Sequence, residues 1–104
     1  MVKTFEEAAD VVRNTLQAGY PQVKKAYIFG SFAKALQKPD SDLDIMVELD
    51  QPMGFAFYGM ADAIEEAVGR PVDLLTTSHA RHLEAQYEYY MTSSARCVYE
   101  RPAN

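Results

Sequence analysis

Apolar residues recur along this chain in two rhythms, and the switches between them mark out its elements. Phe5, Ala8, Val12 and Leu16 fall at helical spacing behind Thr4-x-x-Glu7, a pair suited to a capping box. The pattern predicts a helix over 4–18, stopped by Gly19 and Pro21, since neither residue favours continued helical backbone. Val23 to Phe29 reads as a strand, and Gly30 as the point where it turns. A short helix is expected over Ser31–Leu36, because Gln37-Lys38-Pro39-Asp40-Ser41 is rich in turn residues.

Period two then takes over. Leu43, Ile45, Val47 and Leu49 share one face of a strand over 42–49, while Asp42, Asp44, Met46 and Glu48 share the other. One face suits a core, and the other is left for chemistry. Phe57, Ala61, Ile64 and Val68 return to helical spacing, with Gly69 as the expected stop. Pro71 to Thr76 predicts a third strand, Ser78 the cap of a helix running to about Thr92, and Arg96–Glu100 a short last strand. The sum is an α+β domain: a small mixed β-sheet with helices on one face and a site open on the other.

Composition narrows the function classes. The 104 residues suffice for one core, so 1–104 is expected to be a single domain. A hydrophobic share of 48% is that of a globular chain. Fifteen acidic against ten basic residues leave a charge of -5, which argues against direct nucleic-acid binding, where clustered Lys and Arg are needed. An acidic protein still binds a nucleotide when a metal supplies the positive charge. No apolar run approaches a membrane-spanning length, and Cys97, the single cysteine, forms no internal disulfide. A reducing, cytoplasmic location is the expectation.

The candidate chemistry lies between Gly30-Ser31 and Asp42-Leu43-Asp44. Gly30 allows backbone to approach a phosphate with no Cβ in the way. Ser31 adds a hydroxyl and opens a short helix whose N–H groups favour an anion. Alternate residues of a strand lie about 7 Å apart and point the same way, so Asp42 and Asp44 have oxygens able to converge on magnesium. Two such ions about 4 Å apart suit an in-line displacement at phosphorus. Asp73, inside the apolar run Val72-Asp73-Leu74-Leu75, reads as a buried third acid that completes the metal site and receives the acceptor's proton. Lys34 and Lys38 are candidates for phosphate contact as well as ordinary solvated lysines.

These residues resemble the DNA polymerase beta-type nucleotidyltransferase superfamily, whose signature is a Gly-Ser turn, a paired-acid strand and a later third acid. The nearer likeness is its smallest branch, the minimal nucleotidyltransferase (MNT) antitoxins paired with HEPN toxins. It is carried by Ile28-Phe29-Gly30-Ser31-Phe32-Ala33, by Ser41 to Glu48, by Gly69 to Leu75, and by Cys97-Val98-Tyr99-Glu100. The resemblance implies a palm-like nucleotidyltransferase fold, with Gly30 and Ser31 on the nucleotide phosphates. It implies magnesium on Asp42 and Asp44, with Asp73 as third acid and base. It implies ATP as co-substrate, a HEPN ribonuclease toxin as partner, and transfer of AMP to a tyrosine of that toxin. The family often carries Arg-Gly after the turn's Ala; here Lys34-Ala35 stands instead. Lysine keeps the charge and loses bidentate phosphate contact, and the lost glycine stiffens the turn that follows.

Rival readings follow from the same residues. A non-catalytic antitoxin that blocks its toxin sterically has no need of three convergent acids. A small-molecule nucleotidyltransferase of the aminoglycoside-modifying kind usually has a further acceptor-binding domain. A receiver-like phosphorylation domain is disfavoured by the missing βα repeat. His79 and His82 stand three apart without a third metal ligand and read as exposed helix residues. Leu83, Tyr87, Tyr90 and Met91 fit one packed helical face, with Tyr89 off it. Phe55 and Tyr58 fall off the apolar stripe of their helix and are candidates for a partner interface as well as for loop packing.

Overall fold

Helix α1 (Phe5–Gly19) starts on the expected capping box: Thr4 Oγ1 accepts from the Glu7 N–H at 3.1 Å, and the Glu7 carboxylate accepts from the Thr4 N–H. Its buried stripe is Ala8, Ala9, Val12 and Leu16. The computed structural model describes residues 1–87 and 91–102. Strand β1 (Val23–Phe29) leads directly into α2 (Gly30–Ala33), followed by β2 (Leu43–Leu49), α3 (Ala56–Val68), β3 (Val72–Thr76), α4 (Thr77–Tyr87), a 3-10 turn (Met91–Ser94) and β4 (Arg96–Glu100).

The sheet runs β3-β2-β1-β4. β1 is antiparallel to β2 and to β4, whereas β2 and β3 are parallel and joined through α3. The fold is thus the expected mixed-sheet α+β architecture. Helices α1 and α3 cover one face, where Val12, Leu16, Ile28, Leu43, Ile45, Val47, Met60, Ile64 and Val68 form the main core. The alternation in β2 places its apolar set as its sequence predicts. The other face is not bare: Ala80 of α4 packs on Phe29 and Met46, with Tyr27 and Leu75 at its edge. α4 therefore lies on the carboxylate side of the sheet and closes part of it.

Several local expectations are corrected. α2 ends at Ala33 rather than Leu36, because Ala35 takes left-handed backbone at φ +58 and breaks the helix. Asp42 precedes β2, whose ladder begins at Leu43. Met60, unassigned in the α3 stripe, is fully buried, while Phe57 and Ala61 are half-buried. α4 starts two residues early, and its cap is Thr76 rather than Ser78: Thr76 Oγ1 accepts from the His79 N–H at 3.0 Å. β3 runs straight into the helix, so the last strand residue doubles as the cap. The described part of α4 ends at Tyr87, and residues 91–94 form a 3-10 turn instead of continued α-helix. Tyr89 and Tyr90 lie outside the described residues, as do the side chains of Tyr87 and Met91; Leu83 is half-buried.

Candidate active site

The site forms where the end of β1 meets the start of β2. Phe29 pairs with Asp44 in the antiparallel ladder, so the residue that follows, Gly30, turns over the Asp44 side chain. Gly30 has φ +71, and a Cβ there would lie 2.1 Å from Asp44 Oδ2. The glycine is required twice, once by its backbone and once by the carboxylate packed against it. The expected reason for this residue was phosphate approach; the structure adds contact with the carboxylate itself. Ser31 follows at half-burial, and its carbonyl accepts from the Leu36 N–H at 2.9 Å.

Asp44 and Asp73 are register partners across the parallel β2–β3 pair. Adjacent in-register strands lie about 4.8 Å apart with side chains on the same face, so the two carboxylates are neighbours. Asp42, two residues earlier on that face, completes the set. Burial first, and then the charges of Asp73 and Asp42, together raise the Asp44 carboxyl from 3.8 to about 6. Asp73 is exposed, against the reading of a buried third acid. β3 is the edge of the sheet, so among the described residues no strand pairs on its outer side. Asp42 is exposed as well, and Asp44 alone is half-buried.

The structure does not bring Lys34 into this group. It is the exposed C-cap of α2, and its backbone N–H donates to Gly30 O at 3.2 Å. Among the described residues its ammonium makes no ion pair with the three aspartates. Lys38 is exposed too, in the turn that Ser41 closes: the Lys38 N–H donates to Ser41 Oγ at 2.8 Å.

Two residues here had no signal in the sequence. Ser94, in the 3-10 turn, accepts from the Gly30 N–H at 3.4 Å, so that donor is already engaged. Arg70 is buried behind the site at 5% exposure. A lone Ser in a Thr-Ser-Ser run and a lone Arg after a helix-stopping Gly are indistinguishable from surface residues until the chain folds.

Among the described residues no three acidic, His or Cys side chains are arranged so that they alone could hold a metal ion. The donor set still fits a hard cation that shares its ligands with phosphates. Asp44 is held beside two like charges in a place where its own ionisation is resisted, and a bound cation relieves that repulsion. His79 and His82 are exposed on α4, as expected, and Cys97 is a free thiol.

A strand, a glycine-led turn and short helix, and acids on two adjoining strands are the parts of a nucleotidyltransferase palm. The chain belongs to the polymerase beta nucleotidyltransferase family, which matches residues 12–104. Among curated proteins it is similar to "Putative protein adenylyltransferase MJ1215" of Methanocaldococcus jannaschii, with 38% identity over 79 residues, 72% of this chain and 91% of that protein. A second protein of the same organism, similarly named with the designation MJ1379, is 35% identical over 81 residues, 72% of this chain and 80% of its own. Among solved structures, a toxin–antitoxin crystal structure with AMP-PNP superimposes with a TM-score of 0.73 at 21% identity, covering 89% of this chain and 73% of that one. A chain from the tri-AMPylated Shewanella oneidensis HEPN toxin in complex with MNT antitoxin gives 0.68 at 18%, covering 94% and 74%. At those identities the likeness is one of fold.

Proposed function

We propose that this chain is a cytoplasmic antitoxin that neutralises a HEPN-family toxin by transferring AMP from ATP to a tyrosine hydroxyl of that partner. The observation that carries the reading is the in-register pair Asp44 and Asp73 beside the Gly30 turn. The names of the curated relatives and the fold shared with MNT–HEPN complexes support it. In the reaction the hydroxyl oxygen bonds to the α-phosphorus of ATP, the bond to the β-phosphate bridge breaks, and pyrophosphate leaves. Magnesium, two ions in this reading, would be held by Asp42, Asp44 and Asp73 and would supply neutralisation of charge on the entering and leaving oxygens.

The chain's own residues do the rest. Gly30, whose own N–H is engaged by Ser94, lets backbone approach the phosphates closely, and Ser31 holds them through its N–H and hydroxyl, with Lys34 at the rim of the turn. Asp44, pinned against Gly30, is the rigid member of the acidic set. Asp73, exposed on the edge strand, meets the acceptor and takes the hydroxyl proton.

Transfer of labelled AMP to the purified toxin encoded beside this gene tests the proposal. Asp42→Asn and Asp44→Asn keep the shape of the ligands, lose their charge, and should abolish transfer with the fold intact. Asp73→Ala should lose transfer while still binding ATP, because its place is on the acceptor side. Transfer within about tenfold of wild type in both amide variants overturns the metal-assisted reading.

A further inference from the structure

Arg70 is an unusual residue to find buried. Among the described residues no carboxylate is paired with it; its partners are backbone carbonyls. Nη1 donates to Ser41 O at 2.7 Å and to Pro39 O at 3.4 Å, while Nε donates to Val2 O at 3.1 Å and Nη2 reaches the same oxygen. The guanidinium carbon lies 4.9 Å from the centroid of Phe32. A buried cation without an anionic partner is costly, and an apolar side chain of similar volume commonly serves packing as well or better. What the guanidinium adds is simultaneous contact with three separate segments.

Two of those segments carry the site. Ser41 O belongs to the peptide that joins Ser41 to Asp42, so Arg70 holds the plane from which Asp42 projects. On the other side of Asp42, the Leu43 N–H donates to Pro71 O at 2.9 Å. Asp42 lies outside the β2 ladder and is bracketed by Arg70 and Pro71, neighbours three and two residues ahead of Asp73. The turn over 38–41 has its shape from its own bonds, Ser41 N–H to Lys38 O at 3.0 Å and Lys38 N–H to Ser41 Oγ at 2.8 Å. Its place against the sheet is held by Arg70, with Gln37, just before the turn, donating through Nε2 to Lys3 O at 3.0 Å. Phe32, 1% exposed under the guanidinium face, sits in α2 two residues after Gly30.

We infer that Arg70 is a positioning residue that locks the loop bearing Asp42 to the helix bearing the Gly30-Ser31 turn, and so sets the spacing between the cation ligands and the phosphate cradle. The inference rests on the nucleotidyltransferase reading above. Arginine is needed because its fork donates in two directions while its flat face stacks, whereas an ammonium serves one direction at a time. Arg70 does not touch the nucleotide; it acts through Asp42.

The test is calorimetric titration of magnesium into protein with saturating α,β-methylene ATP, for wild type, Arg70→Met, Arg70→Lys and Val12→Ala. Val12 is a buried core residue of α1, and its truncation weakens the fold without touching the site. Arg70→Met should raise the magnesium concentration for half-saturation by about tenfold or more, the usual effect of losing a group that orients a metal ligand. Arg70→Lys should fall between, and Val12→Ala should match wild type despite a lower melting temperature. If Arg70→Met does not fold, Arg70→Lys carries the comparison. Unchanged magnesium dependence in the folded Arg70 variants overturns this inference alone, as does an equal shift in Val12→Ala. Failure of wild type to bind magnesium with the analogue overturns the nucleotidyltransferase reading, and this inference with it.

Discussion

Ionised Asp44 sits half-buried beside Asp42 and Asp73, and the fold opposes that charge. Its carboxyl titrates at about 6 when folded against 3.8 as an ordinary side chain. Between those values the folded state binds more protons than the unfolded one, so stability falls as pH rises through the window. The stabilisation from the protonated group is complete below 3.8 and gone above about 6. Melts in EDTA should therefore show Asp44→Asn gaining on wild type as pH rises from about 4 to about 7, where the penalty is fully developed. Magnesium should narrow the gap, because the cation replaces the proton. Parallel melting curves at all pH values would contradict the close grouping of these acids.

Helix α2 illustrates how one backbone position limits an element. It stops at Ala33, and Ala35 holds φ +58 where an L residue is strained. Left-handed backbone costs a residue with a Cβ about 1–2 kcal/mol. Glycine removes that cost and loses about 0.4–1 kcal/mol through a freer unfolded chain. Ala35→Gly should thus stabilise the free protein by roughly 0.5–1 kcal/mol by denaturant titration, which reverses the familiar penalty for adding glycine. A loss of stability would mean that the turn relaxes out of the left-handed region. Without a glycine the turn after Lys34 is expected to be merely stiff; the left-handed Ala35 makes the consequence strain instead.

Across the whole molecule, the acidic site and the exposed aromatics occupy different elements. Phe55 is 92% exposed and Tyr58 66%, and Tyr58 meets Phe57 edge-on with ring centroids 5.9 Å apart. The core side of α3 is already filled by Met60, Ile64 and Val68. These two aromatics are free to meet the proposed helical HEPN partner, and a central aromatic in an interface commonly contributes about 2 kcal/mol. Phe55→Ala and Tyr58→Ala should each weaken the complex by about that amount, leaving the melting temperature of the free protein unchanged. Normal toxin binding by both variants would move the partner surface elsewhere. No helix among the described residues is long and apolar enough to cross a membrane.

The order of elements and the facing of β2 were legible from local patterns along the chain. Capping boxes, alternation and helix stops are local: Thr4 with Glu7, Leu43 with Ile45 and Val47, and Gly69 at φ +74 after α3 all depend on neighbours a few residues away. The sequence also singled out Gly30, Asp42 and Asp44, because a glycine-led turn and alternating acids are short-range patterns, and Asp73 as an acid inside an apolar run. The folded chain was needed to show that Asp44 and Asp73 are register partners and that α4 covers the carboxylate face at Met46. It alone left Asp73 exposed on an edge strand and buried Arg70 against Ser41, Val2 and Phe32. Strand order and the burial of a charge depend on contacts between residues far apart in the chain, which no local periodicity encodes.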